Sequence, residues 1–183
     1  QAPPLDPVSD TLDFTLDGER WCLTGGFGDL RACGLIRYRY DDARAYDYLN
    51  GWIMHLFLNA MGSGRVSPRT VWHSRDGRYL LHPIEDAREQ LAALLGLYRD
   101  GLHRPLHFFP KSAWSYIVSD GSLSKAASTW TSFRGYGEDR DPAYRLALRG
   151  IDTPLNDAFV GCATTVFGPL LQIIEDDRLK VKA

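Results

Sequence analysis

Cysteine is scarce: Cys22, Cys33 and Cys162 are the whole complement of a 183-residue chain, and no two form a C-x-x-C pair. An odd number at such spacing argues against a disulfide framework or a structural zinc site, and favours a reducing, cytoplasmic setting. Long hydrophobic runs are missing too. No stretch approaches the ~20 apolar residues of a membrane-spanning helix, so no membrane association is expected. The N-terminal Gln-Ala-Pro-Pro lacks a basic-then-apolar secretory pattern. There is no initiator Met, which reads as a piece excised from a longer protein.

Charge of one sign is also lacking. The formal net charge is −2, so the chain as a whole is no basic magnet for nucleic acid. Any such contact must use a local patch or a neighbouring subunit. Catalytic signatures are absent as well: nothing matches H-E-x-x-H, G-x-x-x-x-G-K-[ST] or G-x-S-x-G. The histidines at 55, 73, 82, 103 and 107 are scattered. Pro105 lies between His103 and His107 and prevents a helical two-histidine metal site. His55, beside Ile53 and Leu56, reads as a satisfied histidine on a helix surface. No cofactor is expected.

What is present is a globular composition, 44% hydrophobic and 24% charged, on a chain long enough to bury a core unaided. Residues 1–10, with three prolines, read as an extended lead-in, and 11–183 as a single domain. Thr11–Leu16 alternates as a strand, Asp17-Gly18 signals a tight hairpin, and Arg20–Thr24 is the return strand. Leu30–Tyr40 reads as a third strand. Ala43–Met61 is an amphipathic helix with Tyr46, Leu49, Ile53, Leu56, Phe57 and Ala60 on its apolar face, ended by Gly62-Ser63-Gly64. Val71–Ser74 and Tyr79–His82 flank a second hairpin signal, Asp76-Gly77. A helix after Pro83 carries Ile84, Ala87, Leu91, Leu94, Leu95 and Tyr98, and Gly101 is its expected cap.

The second half is helical: short helices at Ser112–Val118 and Leu123–Phe133, a polar loop from Gly135 to Asp141, then a helix with Asp141 as N-cap and Pro142 in its first turn. The last helix spans Leu155–Asp176, with Pro169 expected to kink or split it. This order implies an α+β (α/β) fold, a mixed central sheet flanked by helices, with a helical second half.

Gly26-Phe27-Gly28-Asp29 followed by Leu35-Ile36-Arg37-Tyr38-Arg39 resembles the core of the PD-(D/E)XK restriction-endonuclease-like nucleases, in particular the nuclease domain of the exonuclease V beta subunit. There, two carboxylates hold Mg²⁺ and a lysine helps activate water. Here Asp29 matches the first carboxylate, Arg37 stands in place of the second, and Arg39 in place of the lysine. A guanidinium repels Mg²⁺ and stays protonated, so it cannot serve as a base. The resemblance therefore implies a degenerate site with no catalytic residue and no metal. Arg37 and Arg39 either pair with Asp29, Asp41 or Asp42, or contact a phosphate.

Further segments are similar to the exodeoxyribonuclease V gamma subunit family (RecC). They are Leu97 to Trp114, with Arg104-Pro105-Leu106-His107-Phe108-Phe109-Pro110 at its centre; Gly137-Glu138-Asp139-Arg140-Asp141-Pro142 on to Gly150; and Val166-Phe167-Gly168-Pro169-Leu170-Leu171. The resemblance implies the C-terminal portion of such a subunit, inside the RecBCD helicase-nuclease that processes DNA ends for recombination. RecB-type and RecD-type subunits are the implied partners, the RecD-type foremost, with DNA in the full complex. Phe108, Phe109, Trp114 and Trp130 either pack on the core or form a partner surface. Arg134, Arg140, Arg145 and Arg149 either pair with Glu138, Asp139 and Asp141 on a solvated face or, for Arg145 and Arg149 above all, meet DNA backbone. Two other readings stay open: an active nuclease whose second carboxylate comes from Asp41, Asp42 or Asp47, and a protein-interaction module with no DNA contact.

Overall fold

A computed structural model describes residues 3–62, 64, 66–133 and 137–180, for Lys180 the backbone alone. Ser63 of the expected helix stop, Arg134 of the basic set, and Gly135 at the start of the polar loop lie outside the described residues. The architecture is α+β. Strands β1 (Val8–Leu16) and β2 (Glu19–Phe27) pair antiparallel from Val8↔Phe27 to Leu16↔Glu19. The two-residue loop between them is Asp17-Gly18, at φ 49 and 85. Those positive angles are what a primed hairpin turn demands, and Asp-Gly tolerates them. This ribbon forms a sheet of its own rather than joining the central one.

The central sheet is mixed, in the order β3-β4-β5-β6: β3 (Leu35–Tyr38), β4 (Thr70–Ser74), β5 (Gly77–Leu81) and β6 (Ile174–Asp176). β3 runs parallel to β4, and the other pairs are antiparallel. The third strand is shorter than its sequence suggests, because Arg31 and Gly34 exchange backbone hydrogen bonds in a tight turn first. In the second hairpin Ser74 pairs with Gly77, so Arg75-Asp76 form the loop instead of Asp76-Gly77.

Helix α1 (Ala45–Met61) buries Leu56 and Phe57 of the expected apolar face, but leaves Tyr46 and Ile53 exposed and buries Trp52, His55 and Leu58 as well. The buried stripe shifts toward Trp52 and His55, whose rings stack at 6.1 Å. Gly51 sits where the Tyr79 hydroxyl approaches the helix backbone, occupying the place of a Cβ. Helix α2 (Ala87–His103) runs past Gly101, which is an interior residue and no cap.

α3 (Pro110–Ile117), α4 (Leu123–Trp130) and α5 (Pro142–Ala147) follow, with a 3₁₀ turn at Glu138–Arg140. Asp141 caps α5 as its sequence suggests, accepting from the Ala143 N–H at 2.8 Å. α6 (Asp157–Ile173) continues through Pro169. Burial of Val166, Phe167 and Leu170, each worth about 1.5–3 kcal/mol, offsets the ~3 kcal/mol that an interior proline costs. The chain then leaves the helix for β6 and the single turn α7 (Asp177–Lys180).

Two compact units divide the chain: residues 1–43, 50–93 and 173–183 form the first, and residues 44–49 and 94–172 the second. The first unit's core gathers Leu12, Phe14, Leu30, Leu35, Trp52, Leu56, Trp72, Tyr79, Leu81 and Leu91. An aromatic cluster centred on Phe109 organises the second, with Trp130 at 4.4 Å, Tyr144 at 5.2 Å and Phe159 at 6.0 Å between ring centroids. Among the described residues no helix is long and apolar enough to cross a membrane.

Candidate functional site

In the first unit, β3 carries the residues that sequence comparison singles out. Leu35, fully buried, anchors the strand, and period-2 alternation then turns Arg37 the same way. The Arg37 Nε lies 3.5 Å from the Met54 sulfur on α1, and its Nη1 donates to the carboxylate of Asp29, just beyond β2. The Arg37 side chain is 22% exposed and that of Asp29 53%, so the pair sits at a half-wet rim.

Arg39 continues the ladder through its N–H to the His73 carbonyl at 2.8 Å. Its guanidinium lies 3.7 Å from Asp41. Arg75 in the β4–β5 loop donates through Nε and Nη2 to the two oxygens of Asp42, both at 2.8 Å. These contacts hold the Arg75 guanidinium even more firmly protonated than usual, through hydrogen bonding and the charge of Asp42. Each carboxylate on this rim thus faces a guanidinium. Among the described residues no three His, Cys, Asp or Glu side chains come together in a grouping able to hold a metal ion.

Tyr38, at the end of β3, and Tyr40, in the bend beyond it, project into solvent at 64% and 103% exposure. The Tyr38 ring stacks on His73, its parallel-register partner, at 5.3 Å and 14°. With Arg39, Ser74 and Arg75 these three rings line one groove. The sequence carries the signal as the alternation Arg37-Tyr38-Arg39-Tyr40.

The other expected site residues belong to the second unit. Phe109 is fully buried at the cluster's centre, so it is core and not surface. Phe108, Trp114 and Trp130 are half-buried, with Trp114 stacked on Tyr48 at 4.1 Å and Phe108 beside Phe167 at 5.9 Å. Arg145 on α5 and Arg149 just after it are exposed, as is Arg140, which lies over the Phe133 ring at 4.7 Å.

Glu138 departs from the expected solvated face. It is 3% exposed and accepts from the N–H groups of Lys111 and Ser112 at 2.9 and 2.8 Å, and from the Ser112 hydroxyl at 2.7 Å. Helix α3 has no side-chain cap of its own, so this carboxylate, delivered from 26 residues downstream, satisfies its N-terminal donors.

His55 also departs from its reading. It is satisfied but fully buried, one ring nitrogen 3.0 Å from the Thr70 hydroxyl and the other 2.9 Å from the His82 carbonyl. Burial drives its pKa down to about 4.

A family model described as the RecC C-terminal domain matches residues 1–120, well over half of the chain. No curated protein matches it.

Proposed function

From the premise that this chain belongs to the RecC C-terminal domain family, we propose that it is a non-catalytic assembly and DNA-guiding domain of the RecBCD helicase-nuclease, exodeoxyribonuclease V. In this reading it serves repair of DNA ends by contacting neighbouring subunits and steering strands. Its scaffold is a nuclease-like fold that has lost its chemistry.

The observation that carries the proposal is the Arg37–Asp29 pair. In the nuclease resemblance Asp29 would be a metal ligand, yet its partner is a cation at the position of the second ligand. A divalent ion needs at least two anionic oxygens converging there, and one carboxylate with two guanidinium groups does not fit it. The carboxylates nearest in sequence do not repair the deficit: Asp41 and Asp42 are engaged by Arg39 and Arg75. The subunit-contact part of the proposal rests on the half-buried aromatic rings Phe108, Trp114 and Trp130. The strand-guiding part rests on the exposed arginines, Arg145 and Arg149 among them.

A protein-interaction module without DNA contact is the second reading, favoured by the net charge of −2. Co-expression with RecB-type and RecD-type subunits tests the assembly role. Retention of a subunit, RecD-type foremost, with weakened retention for Trp130→Ala, is expected. Incubation with linear DNA in Mg²⁺ or Mn²⁺ should release no acid-soluble nucleotides. Release that Asp29→Ala abolishes would overturn the non-catalytic reading.

A further inference from the structure

We propose that Tyr38, Tyr40 and His73 form a stacking ledge for the unpaired bases of a single DNA strand. This rests on the strand-guiding reading above and assigns it a place on the fold that the arginine residues alone did not indicate.

The first argument is exposure. A tyrosine that is 64% exposed and another at 103%, two residues apart, leave large apolar ring faces in water. One face of Tyr38 already rests on His73, which fixes the ring's plane and reduces the entropy lost when a second planar group is added. The stack is half built.

Position is the second argument. Tyr38 is the last residue of β3 and Tyr40 lies two residues on, in the bend that follows, and both rings line the one groove.

Chemistry of the rim is the third. Arg39 and Arg75 line the same groove. A guanidinium carries five N–H donors, and Asp42 takes two of those on Arg75 while orienting its fork. Rings interleaved with arginines suit a strand whose bases stack and whose phosphates lie at the edge. Asp41 and Asp42 offset part of the positive charge. Stacking should therefore dominate, and the preference should be for single strands, since a duplex offers no free base faces.

The test titrates the 183-residue chain into a fluorescently labelled oligo(dT) and into a duplex of equal length, following anisotropy at low and at physiological salt. Oligo(dT) should bind better than duplex. Its affinity should fall by about five-fold or more for Tyr38→Ala and again for Tyr40→Ala. The pair Tyr38→Phe and Tyr40→Phe should keep it, because the ring faces survive. The slope of log affinity against log salt should be shallow, about 1 to 2, for a strand meeting two arginines. An oligonucleotide carrying 5-iodouracil should photo-cross-link at Tyr38, Tyr40 or His73.

Absence of oligo(dT) binding, preference for duplex, or alanine variants that bind like the parent would each overturn the ledge. Subunit retention by Tyr38→Ala/Tyr40→Ala is measured alongside. Intact retention with unaltered DNA binding sinks the ledge and leaves the assembly role standing. Lost retention without any DNA binding assigns the face to a protein and likewise sinks it.

Discussion

Arg178 clasps Asp176, two residues before it, with Nε on one carboxylate oxygen at 2.8 Å and Nη2 on the other at 2.7 Å. The Asp176 side chain is fully buried. The same guanidinium reaches Asp76 at 2.8 Å and the Ser74 hydroxyl at 3.1 Å. One fork therefore ties the end of β6 to the β4–β5 hairpin.

Removing that fork strands a buried charge. Arg178→Ala should cost about 3–5 kcal/mol, because Asp176 would lose its counter-ion while staying desolvated. Arg178→Lys should recover only part, since an ammonium cannot form the two parallel bonds. Urea denaturation of the three proteins reads this order directly.

His55 predicts an acid-sensitive fold. Its folded pKa of about 4 lies below its ordinary value of 6.5, because burial disfavours the imidazolium. The unfolded chain therefore binds more protons between those two values, and stability rises with pH there. The contribution is complete above about pH 6.5 and is lost as pH falls toward 4, amounting to about 3 kcal/mol. His55→Gln should flatten this part of the stability–pH curve, measured by urea titrations at a series of pH values. A parent curve already flat between pH 4 and 6.5 would contradict the assignment. Below it lies a second window. Burial alone would raise the Asp76 carboxyl, but the Ala43 N–H, the Ser74 hydroxyl and Arg178 bring it down to about 2. Its contribution should hold above pH 4 and disappear through pH 2.

Glu138 is expected to matter more than its place in a polar, charge-rich stretch suggests. Glu138→Ala leaves the Lys111 and Ser112 N–H groups and a buried hydroxyl without their acceptor, at about 1–3 kcal/mol each for a group left wholly unsatisfied. Glu138→Gln keeps one oxygen and should be milder. Thermal melts compare the two, and equal losses would argue that shape, not hydrogen bonding, is what Glu138 supplies.

Gly51 and Tyr79 form a steric pair. A Cβ at position 51 would meet the Tyr79 hydroxyl oxygen. Gly51→Ala should therefore destabilise by about 1–3 kcal/mol despite alanine's better helix propensity. In a Tyr79→Phe background the oxygen is gone and the penalty should shrink. A double-mutant cycle measures the coupling, and additivity within error would refute the contact.

Local rules explain what the sequence made legible. Asp17-Gly18, with alternation on both sides, located β1 and β2 because turn chemistry and strand pairing there span few residues. Asp141-Pro142 marked α5 for the same reason. The elements that escaped depend on distant partners. β6 is three residues long and continues a helical apolar pattern, and only its pairing with β5 makes Ile174–Asp176 a strand. Glu138 looked like a solvated charge because its helix is elsewhere in the chain. His55 looked superficial because nothing in its neighbourhood announced Thr70 and the His82 carbonyl. At the candidate site, the Arg37–Asp29 pair joins residues that the sequence already sets near one another, while the Tyr38–His73 stack needs the register between β3 and β4.

The pairing of Tyr79 with Asp176 has a consequence for how this protein is born. During synthesis the first unit must wait, its sheet bordered at β5 by an unfilled edge, until Ile174–Asp176 have left the ribosome. An open strand is an invitation to wrong neighbours. A nascent chain paused before residue 174 should therefore be prone to aggregate, and a stop codon there should damage the first unit, whose other strands lie more than eighty residues upstream.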